Sequence, residues 1–533
     1  MKVVRDPFAF TFSDELVHQH NVDELLRSGT LFGTNSILPI TPAYPGLSSA
    51  TGALSSLTGL SSFTSGLIVI GAARLLATLA LFLLVEAVLR SDRAAAVAAL
   101  AYVGMPNYMF FSAQFAYESL ALPLALFVLM CVALRAKAEH RDDRWLLLGC
   151  AVVPAVVVTH HLTSYALLAS LSLMCLLVPV ARLLSRRGWS VEGGTPPKPP
   201  LAMTLWTALL IAGWLVYAGQ RTSGYLSVVI TRAISQTWSI LSQEAPPRAL
   251  FQADGTGSTP GAVAPGWERV VGIGSVVVLA GWVVLGLVLV WRSKRSSPLL
   301  LVLSIAAVAY LATFPLRFVP AAWESAARAS EFLFVGVATI AAVTCASWRP
   351  RPRPRPLLVA AAILLLAAGG VIAGWPTDRR VASPLEVEAS GATIDSEVFA
   401  LGRWSGDGLP SDASVATEPS DARVLQLYGD VRALAGTNPD IEDILHLSTI
   451  DPWMVELLRA QGVRYVAVDR RVVASDNMDG YFFPPPSGEP ERAADVVTKF
   501  ERAGAWPIFE SGAITVFDIT PLLDRPSDGR PSP

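Results

Sequence analysis

Long apolar stretches fill most of the first 375 residues of this 533-residue chain, and they limit its fold more than any other feature. A helix needs about 20 consecutive apolar residues to cross the hydrocarbon core of a membrane. About ten such spans are predicted: Gly66–Arg90, Ala94–Phe111, Ser119–Leu134, Trp145–Thr159, Leu162–Arg182, Leu201–Gly219, Val270–Trp291, Pro298–Leu316, Glu331–Trp348 and Pro356–Trp375. Charged residues make up 16% of the chain, against about 25% in soluble globular proteins. The sequence therefore predicts a polytopic α-helical membrane protein.

Basic residues are concentrated in every second connection between these spans. The basic connections contain Arg90 and Arg93, Arg135 to Arg144, Arg182 to Lys198, Arg292 to Arg295, and Arg349 to Arg355. Short loops rich in Lys and Arg stay in the cytoplasm, so the alternate connections and residues 1–61 are predicted to lie outside. Because a polar external segment needs a hydrophobic helix to carry it across, we expect a transmembrane helix upstream of Met1.

A change of composition near residue 376 separates a charged C-terminal part from the apolar part. Its patterns predict a helix at Asp451–Gln461, a strand at Val463–Val468, a helix at Glu491–Ala503 and a strand at Ala513–Phe517. Helices that alternate with strands indicate a small α/β domain. The predicted organisation is a first external segment (1–61), a transmembrane domain (62–375), an extracytoplasmic α/β domain (376–524) and a polar, disordered tail (525–533).

The longest predicted external loop covers residues 220–269. Within it, Tyr225–Gln243 places Ile230, Ile234, Trp238 and Leu241 on one side of a helix. A helix with one apolar and one polar side typically lies in the plane of the membrane interface.

Acidic and imidazole side chains are concentrated near the N-terminus, ahead of all the predicted spans. Asp14 and Glu15 are followed within five residues by His18 and His20. On a helix, Asp14 and His18 lie on the same face because they are four residues apart, whereas His20 points elsewhere. Acidic residues also stabilise the first turn of any helix, so a purely structural role for Asp14 and Glu15 stays open.

Further titratable and aromatic residues fall in the other predicted external turns. They are Tyr117, Glu118, His160, His161, Arg317, Arg328 and Glu331. Arg74 lies inside the first predicted span, where an ionisable residue is costly and usually faces a partner or a water-filled cavity. Two structural explanations are open: Arg328 could pair with Glu331, and Arg74 with Glu118.

This combination resembles the GT-C superfamily of polytopic membrane glycosyltransferases. Members take sugars from polyprenyl-phosphate or polyprenyl-diphosphate carriers on the non-cytoplasmic face, and they carry an acidic residue or pair in the first external loop. Asp14 and Glu15 occupy that place here, and residues 376–524 correspond to the soluble domain in which many members end. Two features depart from the pattern: the first helix, which we expect upstream of Met1, and the pair His18 and His20.

The resemblance implies roles for individual residues. Asp14 is the first choice for the general base, and Glu15 the second. Arg328, followed by Arg317 and Arg74, is expected to bind the donor phosphate, because a guanidinium donates two parallel hydrogen bonds to phosphate. The remaining substrate-binding candidates are Tyr117, Glu118, His160, His161 and Glu331. Some members hold a divalent metal at the acidic site, for which Asp14 and His18, with Glu118 and His160, are candidate ligands; metal use stays open.

The function expected from this resemblance is a glycosyltransferase of the bacterial plasma membrane. It would move a sugar from a polyprenyl-phosphate donor to an envelope glycan, lipid or protein acceptor on the outer face. The net charge of −2 gives no indication of a nucleic-acid partner. Two alternatives are a transporter or flippase for a lipid-linked precursor, and a non-catalytic, membrane-anchored glycan-binding protein. The first is disfavoured because the sequence lacks paired spans broken by Gly or Pro.

Overall fold

A computed structural model of the protein describes most of the chain. The described residues are 7–106, 108, 111–137, 143–189, 199–248, 250–251, 265–293, 297–346, 354–374, 394–410, 412–435, 439–447, 449–470 and 493–524. The domain boundary predicted at residue 376 and the tail predicted at 525–533 lie outside these residues.

Helices form the chain up to residue 374. In chain order they are α1 (Ser13–Ser28), α2 (Gly46–Thr58), α3 (Ser62–Leu89), α4 (Asp92–Tyr102), α5 (Tyr117–Lys137), α6 (Asp143–Thr159), α7 (His161–Arg186), α8 (Leu201–Tyr217), α9 (Gln220–Leu241), α10 (Gly266–Arg292), α11 (Pro298–Ala312), α12 (Pro320–Ala346) and α13 (Pro354–Gly374). Short 3-10 turns lie at Thr41–Ala43, Phe111–Ala113 and Phe314–Phe318.

Several of these helices have the length and hydropathy of membrane spans. Within the described residues, six qualify: Ser62–Leu89, Tyr117–Lys137, His161–Arg186, Gly266–Arg292, Pro298–Phe318 and Ser325–Thr344. Leu201–Tyr217 and Leu357–Ile372 are apolar but shorter. The prediction of a multi-pass helical membrane protein is confirmed, whereas the count of about ten spans is not.

The span predicted at Ala94–Phe111 differs most from the structure. Helix α4 has 11 residues, which is about 16 Å at 1.5 Å per residue, and the hydrocarbon core is about 30 Å thick. It ends at Tyr102, shortly before Pro106, which has no backbone N–H with which to continue a helix. Up to Pro106, the apolar run therefore forms a short helix followed by a turn.

Small residues allow the helices of the membrane part to pack closely. A Cβ atom added at Gly336 of α12 would lie 2.3 Å from the backbone oxygen of Leu303 in α11. One added at Gly286 of α10 would lie 2.2 Å from the backbone oxygen of Ile340 in α12. Glycines at helix contacts let two backbones approach closely, which is typical of packing in membranes.

The helix predicted in the 220–269 loop is present as α9 and begins at Gln220, five residues before the predicted start. Ile230, Ile234, Trp238 and Leu241 are between 55% and 72% exposed along one side. Its position in the membrane interface stays a prediction.

The C-terminal part contains a five-stranded mixed sheet with helices. The elements are α14 (Ser396–Gly408), β1 (Ser414–Ala416), α15 (Pro419–Gly429), β2 (Arg432–Leu434), α16 (Pro439–His446), α17 (Pro452–Ala460), β3 (Tyr465–Asp469), α18 (Ala493–Arg502), β4 (Trp506–Ser511), β5 (Ile514–Asp518) and α19 (Thr520–Leu523). The strand order is β2-β1-β3-β5-β4. Strand β1 pairs in parallel with β2 (Val415 opposite Ala433) and β3 (Val415 opposite Tyr465), and β5 pairs antiparallel with β3 and β4. The predicted helices and strands are present within about two residues.

The C-terminal domain packs directly on helix α1. Leu16 and Val22 of α1 belong to the same buried apolar cluster as Val398 and Leu425 of the domain. At the edge of this contact, Arg27 forms an ion pair with Asp430. Helix α1 is therefore held by the C-terminal domain as well as by the membrane helices.

Candidate active site

Helix α1 begins with the acidic pair. Asp14 and Glu15 lie in its first turn, where the positive end of the helix dipole stabilises carboxylates. Leu16 and Val17 are buried, so the apolar contacts of the helix fix the direction in which its acidic residues point. The helix ends at Gly29, whose φ of 67° favours glycine and whose N–H bonds the carbonyl of Leu25.

One arginine joins two carboxylates that are distant in sequence. Nη2 of Arg328, on α12, lies 3.3 Å from Oδ2 of Asp14. Nη1 of Arg328 lies 3.0 Å from Oε2 and 3.3 Å from Oε1 of Glu118, in the first turn of α5. The guanidinium also lies 5.6 Å from the ring centre of Phe111. The structure thus brings together three of the residues selected from the sequence.

The first histidine of the pair at the start of α7 extends this cluster. Nε2 of His160 lies 3.8 Å from Oε2 of Glu118, and its Nδ1 lies 2.8 Å from the hydroxyl of Thr163. Both side chains are almost completely buried. The hydroxyl holds the ring of His160 so that its second nitrogen faces the carboxylate.

Aromatic rings form a continuous wall beside the charged groups. The ring of Tyr117 lies 4.6 Å from that of His18 and 4.3 Å from that of His160, between ring centres. The ring of His161 lies 4.9 Å from His160 and 5.1 Å from Tyr44. His18 and the histidine pair therefore belong to one cluster; their placement on the outer face stays a prediction.

His18 is uncharged at neutral pH. Burial lowers its pKa to about 4, although the carboxylate of Asp14 raises the pKa, and the positive charge of Arg328 lowers it further. At neutral pH the ring can donate or accept a hydrogen bond, but it adds no positive charge to the site.

The pKa of His18 predicts a pH dependence of stability. In the unfolded chain the imidazole binds a proton near its ordinary pKa of 6.5, and in the folded chain it binds one only near 4. The stabilisation is therefore complete above pH 6.5 and is lost as the pH falls through 4, by about 3 kcal/mol in total. We expect the thermal midpoint in detergent to fall over this range, and to fall less in His18→Gln. An unchanged slope in His18→Gln would contradict the prediction.

Glu15 makes a structural contact with the backbone. Its side chain is fully buried, and its Oε1 accepts a hydrogen bond of 2.8 Å from the backbone N–H of Phe115. This contact joins α1 to the turn that precedes α5. Asp14 is 30% exposed at its side chain, so the geometry favours Asp14 over Glu15 as a base that substrate can reach.

Glu331 and Arg74 have other contacts. Glu331 is buried, and its Oε1 accepts a hydrogen bond of 3.1 Å from the hydroxyl of Ser112. The guanidinium of Arg74 lies 4.1 Å above the ring of Tyr108. The pairing considered for Arg74 with Glu118 is thus not the one found, since Glu118 binds Arg328.

Arg317 lies in the 3-10 turn Phe314–Phe318. Its guanidinium carbon is 5.8 Å from the ring centre of Phe314. The Nε and Nη2 atoms are shielded from solvent and have no hydrogen-bond partner within the described part of the chain. A buried donor without a partner costs about 1–3 kcal/mol, so an anionic ligand at Arg317 would be stabilising.

The arrangement does not fit a metal ion. Among the described residues, no three His, Cys, Asp or Glu side chains come close enough to hold one. The candidate ligands Asp14 and Glu118 both bind Arg328 instead.

The sequence patterns missed the contact of Tyr44 with Thr222. Their hydroxyl oxygens lie 2.9 Å apart and join the loop after α1 to the start of α9. The only signal was the position of Tyr44 between Pro42 and Pro45, which indicated a turn but no partner.

Three solved structures share this fold. The oligosaccharyltransferase of Archaeoglobus fulgidus in the apo form is 12% identical over 90% of this chain and 69% of its own, with a TM-score of 0.54. The same organism's oligosaccharyltransferase AglB, in complex with an inhibitory peptide and a dolichol-phosphate, is 11% identical over 97% and 71%, with a TM-score of 0.53. ArnT from Cupriavidus metallidurans, bound to undecaprenyl phosphate, is 13% identical over 96% and 94%, with a TM-score of 0.51.

All three are GT-C membrane glycosyltransferases, so the resemblance inferred from the acidic pair and the pattern of spans is confirmed at the level of the fold. No curated protein matches the sequence. Residues 12–520 match the family described as "Family of unknown function (DUF6541)", and the chain belongs to that family.

Proposed function

We propose that the protein is a membrane glycosyltransferase that moves a sugar from a polyprenyl-phosphate donor to an acceptor on the outer face of a bacterial plasma membrane. The observation that carries the proposal is the contact of Arg328 with both Asp14 and Glu118. It places a partly exposed carboxylate next to a cation, which are the two groups that transfer from a lipid phosphate requires. The acceptor would be an envelope glycan, lipid or protein.

The reaction begins with removal of a proton from the acceptor. The carboxylate of Asp14 accepts the proton of an acceptor hydroxyl, whose oxygen attacks the anomeric carbon of the donor sugar. The bond between this carbon and the phosphate oxygen breaks, and its electron pair leaves with the lipid phosphate. A positioned general base of this kind contributes about 10²–10⁴-fold to the rate.

The negative charge that develops on the leaving phosphate needs positive groups nearby. Arg328 is partly exposed and adjoins the base, so it is the first candidate. Arg317 is the second, because its Nε and Nη2 form the edge of the guanidinium that can donate two hydrogen bonds to one phosphate. The proteins of similar fold that contain dolichol-phosphate and undecaprenyl phosphate support a polyprenyl carrier.

Glu118 and His160 serve in this proposal as positioning residues. Glu118 is buried and holds Nη1 of Arg328, which leaves Nη2 beside Asp14. His160 in turn contacts the same oxygen of Glu118. Tyr117 and His161 form the adjoining aromatic wall, which suits the apolar face of a sugar ring.

The proposed organisation keeps residues 1–61 outside the membrane, residues 62–375 in it, and residues 376–524 as an extracytoplasmic domain. The contact between α1 and the C-terminal domain supports placing both on the same side.

The test is mass spectrometry of lipid-linked sugars and envelope glycans from a deletion strain. The strain is complemented with the wild-type gene or with Asp14→Asn. Accumulation of one polyprenyl-phosphate sugar, with loss of that sugar from one glycan, is expected in the deletion strain and in Asp14→Asn. A flippase would change the transbilayer distribution of the donor without any need for Asp14, and a glycan-binding protein would keep its full function in the Asp14→Asn variant.

A further inference from the structure

The positive group between the two carboxylates of the site is the guanidinium of Arg328. Asp14 on α1 and Glu118 on α5 face the same guanidinium from two sides, at 3.3 and 3.0 Å. His160 reaches the same oxygen of Glu118 at 3.8 Å. Carboxylates and imidazoles are common ligands of divalent metal ions, but in this structure the guanidinium lies where such an ion would have to sit between the two carboxylates.

We propose that Arg328 occupies the position that a divalent cation would take between Asp14 and Glu118, so that the protein acts without a metal ion. A bound ion would have to lie about 2.0–2.6 Å from oxygens of both carboxylates, in the space that the guanidinium fills. The catalytic role of Arg328 in this inference rests on the proposed function. Which cation lies between the two carboxylates can be measured independently of that function.

The geometry of the contact distinguishes it from an ordinary ion pair. An arginine that only neutralises one carboxylate typically directs two parallel hydrogen bonds to its two oxygens. Arg328 instead directs its two terminal nitrogens to carboxylates of different helices. It therefore bridges two ligand groups, as a metal ion does.

The side chains of Asp14, Arg328 and Glu118 differ in their exposure to solvent. The side chain of Glu118 is 3% exposed, whereas those of Arg328 and Asp14 are 25% and 30% exposed. The guanidinium is thus fixed on its buried side by Glu118 and open on the side of Asp14. A phosphate that arrives from the open side can bind Arg328 without removing Glu118.

Removal of the guanidinium should convert the site into a metal site. In the structure, Asp14, Glu118 and His160 do not lie close enough together to hold an ion. In Arg328→Ala the guanidinium no longer lies between the two carboxylates, so we expect them to approach each other and to form, with His160, a three-ligand site for Zn²⁺. In Arg328→Lys a cation remains, so this variant is the matched control. Arg328→Ala combined with Glu118→Gln removes one of the three ligands and tests whether binding depends on the site.

The experiment measures zinc per protein by elemental analysis. Tag-free full-length protein in detergent is incubated with Zn²⁺ and passed through a desalting column. We expect no retained zinc in the wild type or Arg328→Lys, one zinc ion per chain in Arg328→Ala, and its loss when Glu118→Gln is added. One retained zinc ion in the wild type, or none in a folded Arg328→Ala, would overturn the proposal.

A second measurement on the wild type needs no variant. Transfer of the sugar identified in the deletion strain should proceed at the same rate in EDTA as in buffer with Mn²⁺ or Zn²⁺. Loss of transfer in EDTA and its return with metal would overturn the inference while leaving the glycosyltransferase proposal intact. Absence of transfer under all conditions would contradict the proposed function, and the zinc content would still decide which cation the site holds.

Discussion

Asp14→Asn is expected to lower the rate of sugar transfer by about 10²–10⁴-fold, which is the usual contribution of a general base. The amide has nearly the same shape as the carboxylate but cannot accept the proton of the acceptor hydroxyl. Because the side chain of Asp14 is 30% exposed, the substitution is expected to change folding little. The rate is measured in membranes with the lipid-linked sugar that accumulates in the deletion strain.

Glu15→Gln is the matched control for this prediction, since it makes the same change at the neighbouring residue. Glu15 is fully buried and accepts a hydrogen bond from the backbone N–H of Phe115. Glu15→Gln should therefore lower the thermal midpoint, while the transfer rate per folded molecule stays close to that of the wild type. If Asp14→Asn keeps the wild-type rate, Asp14 is not the base. If Glu15→Gln alone abolishes transfer in folded protein, the roles of the two acidic residues are reversed.

The composition of the candidate site was largely predictable because topology limits where polar residues can meet. Loops rich in Lys and Arg predict which turns share a side of the membrane, and the sequence predicts that Glu118, His160 and Arg328 lie together on the opposite side. The spacing of Asp14 and His18 placed both on one helical face. These two rules were sufficient to select residues that the structure brings into one cluster.

The pairing within the cluster was not predictable. Spacing along α12 favoured a contact of Arg328 with Glu331, three residues away, because neighbours on a helix are the only contacts that a sequence pattern reveals. The structure pairs Arg328 with Glu118 and Asp14, which lie 210 and 314 residues away. Such partners are determined by the packing of α1, α5 and α12, which has no local signal.

The same limit explains two other differences. The ion pair of Arg27 with Asp430 joins residues 403 apart, so the packing of the C-terminal domain on α1 could not be inferred from either segment alone. The apolar run at Ala94–Phe111 has the hydropathy of a span, but Pro106 interrupts it and tertiary packing buries its short helix. Hydropathy measures how apolar a segment is, and it does not give the length of the helix that the segment forms.

The second large effect is expected for Glu118→Gln. Glu118 is buried, and its carboxylate binds Nη1 of Arg328 at 3.0 Å. Removing one partner of an ion pair costs about 3–5 kcal/mol when the other charge is left buried and unpaired. Arg328 is 25% exposed and keeps its contact with Asp14, so we expect a smaller fall in the thermal midpoint in detergent. The larger effect is loss of transfer, because Glu118 no longer holds Arg328 beside Asp14.

Glu86→Gln provides the control for the loss of an ion pair as such. Glu86 binds Lys137 at 2.7 Å, but both side chains are more exposed than that of Glu118, at 24% and 33%. Pairs that reach solvent contribute about 0–1 kcal/mol, so this variant should lose little stability and no transfer.

A double variant separates the stability of the pair from its function. When both partners of a buried pair are replaced by apolar residues of similar volume, the cost is often small or even reversed. Glu118→Met with Arg328→Met should therefore recover much of the thermal midpoint that Glu118→Gln loses. Transfer should stay absent, since the cation that adjoins Asp14 is gone. Recovery of transfer in the double variant would show that Arg328 acts only in folding, and failure to recover stability would show that the pair is held by contacts other than its charges.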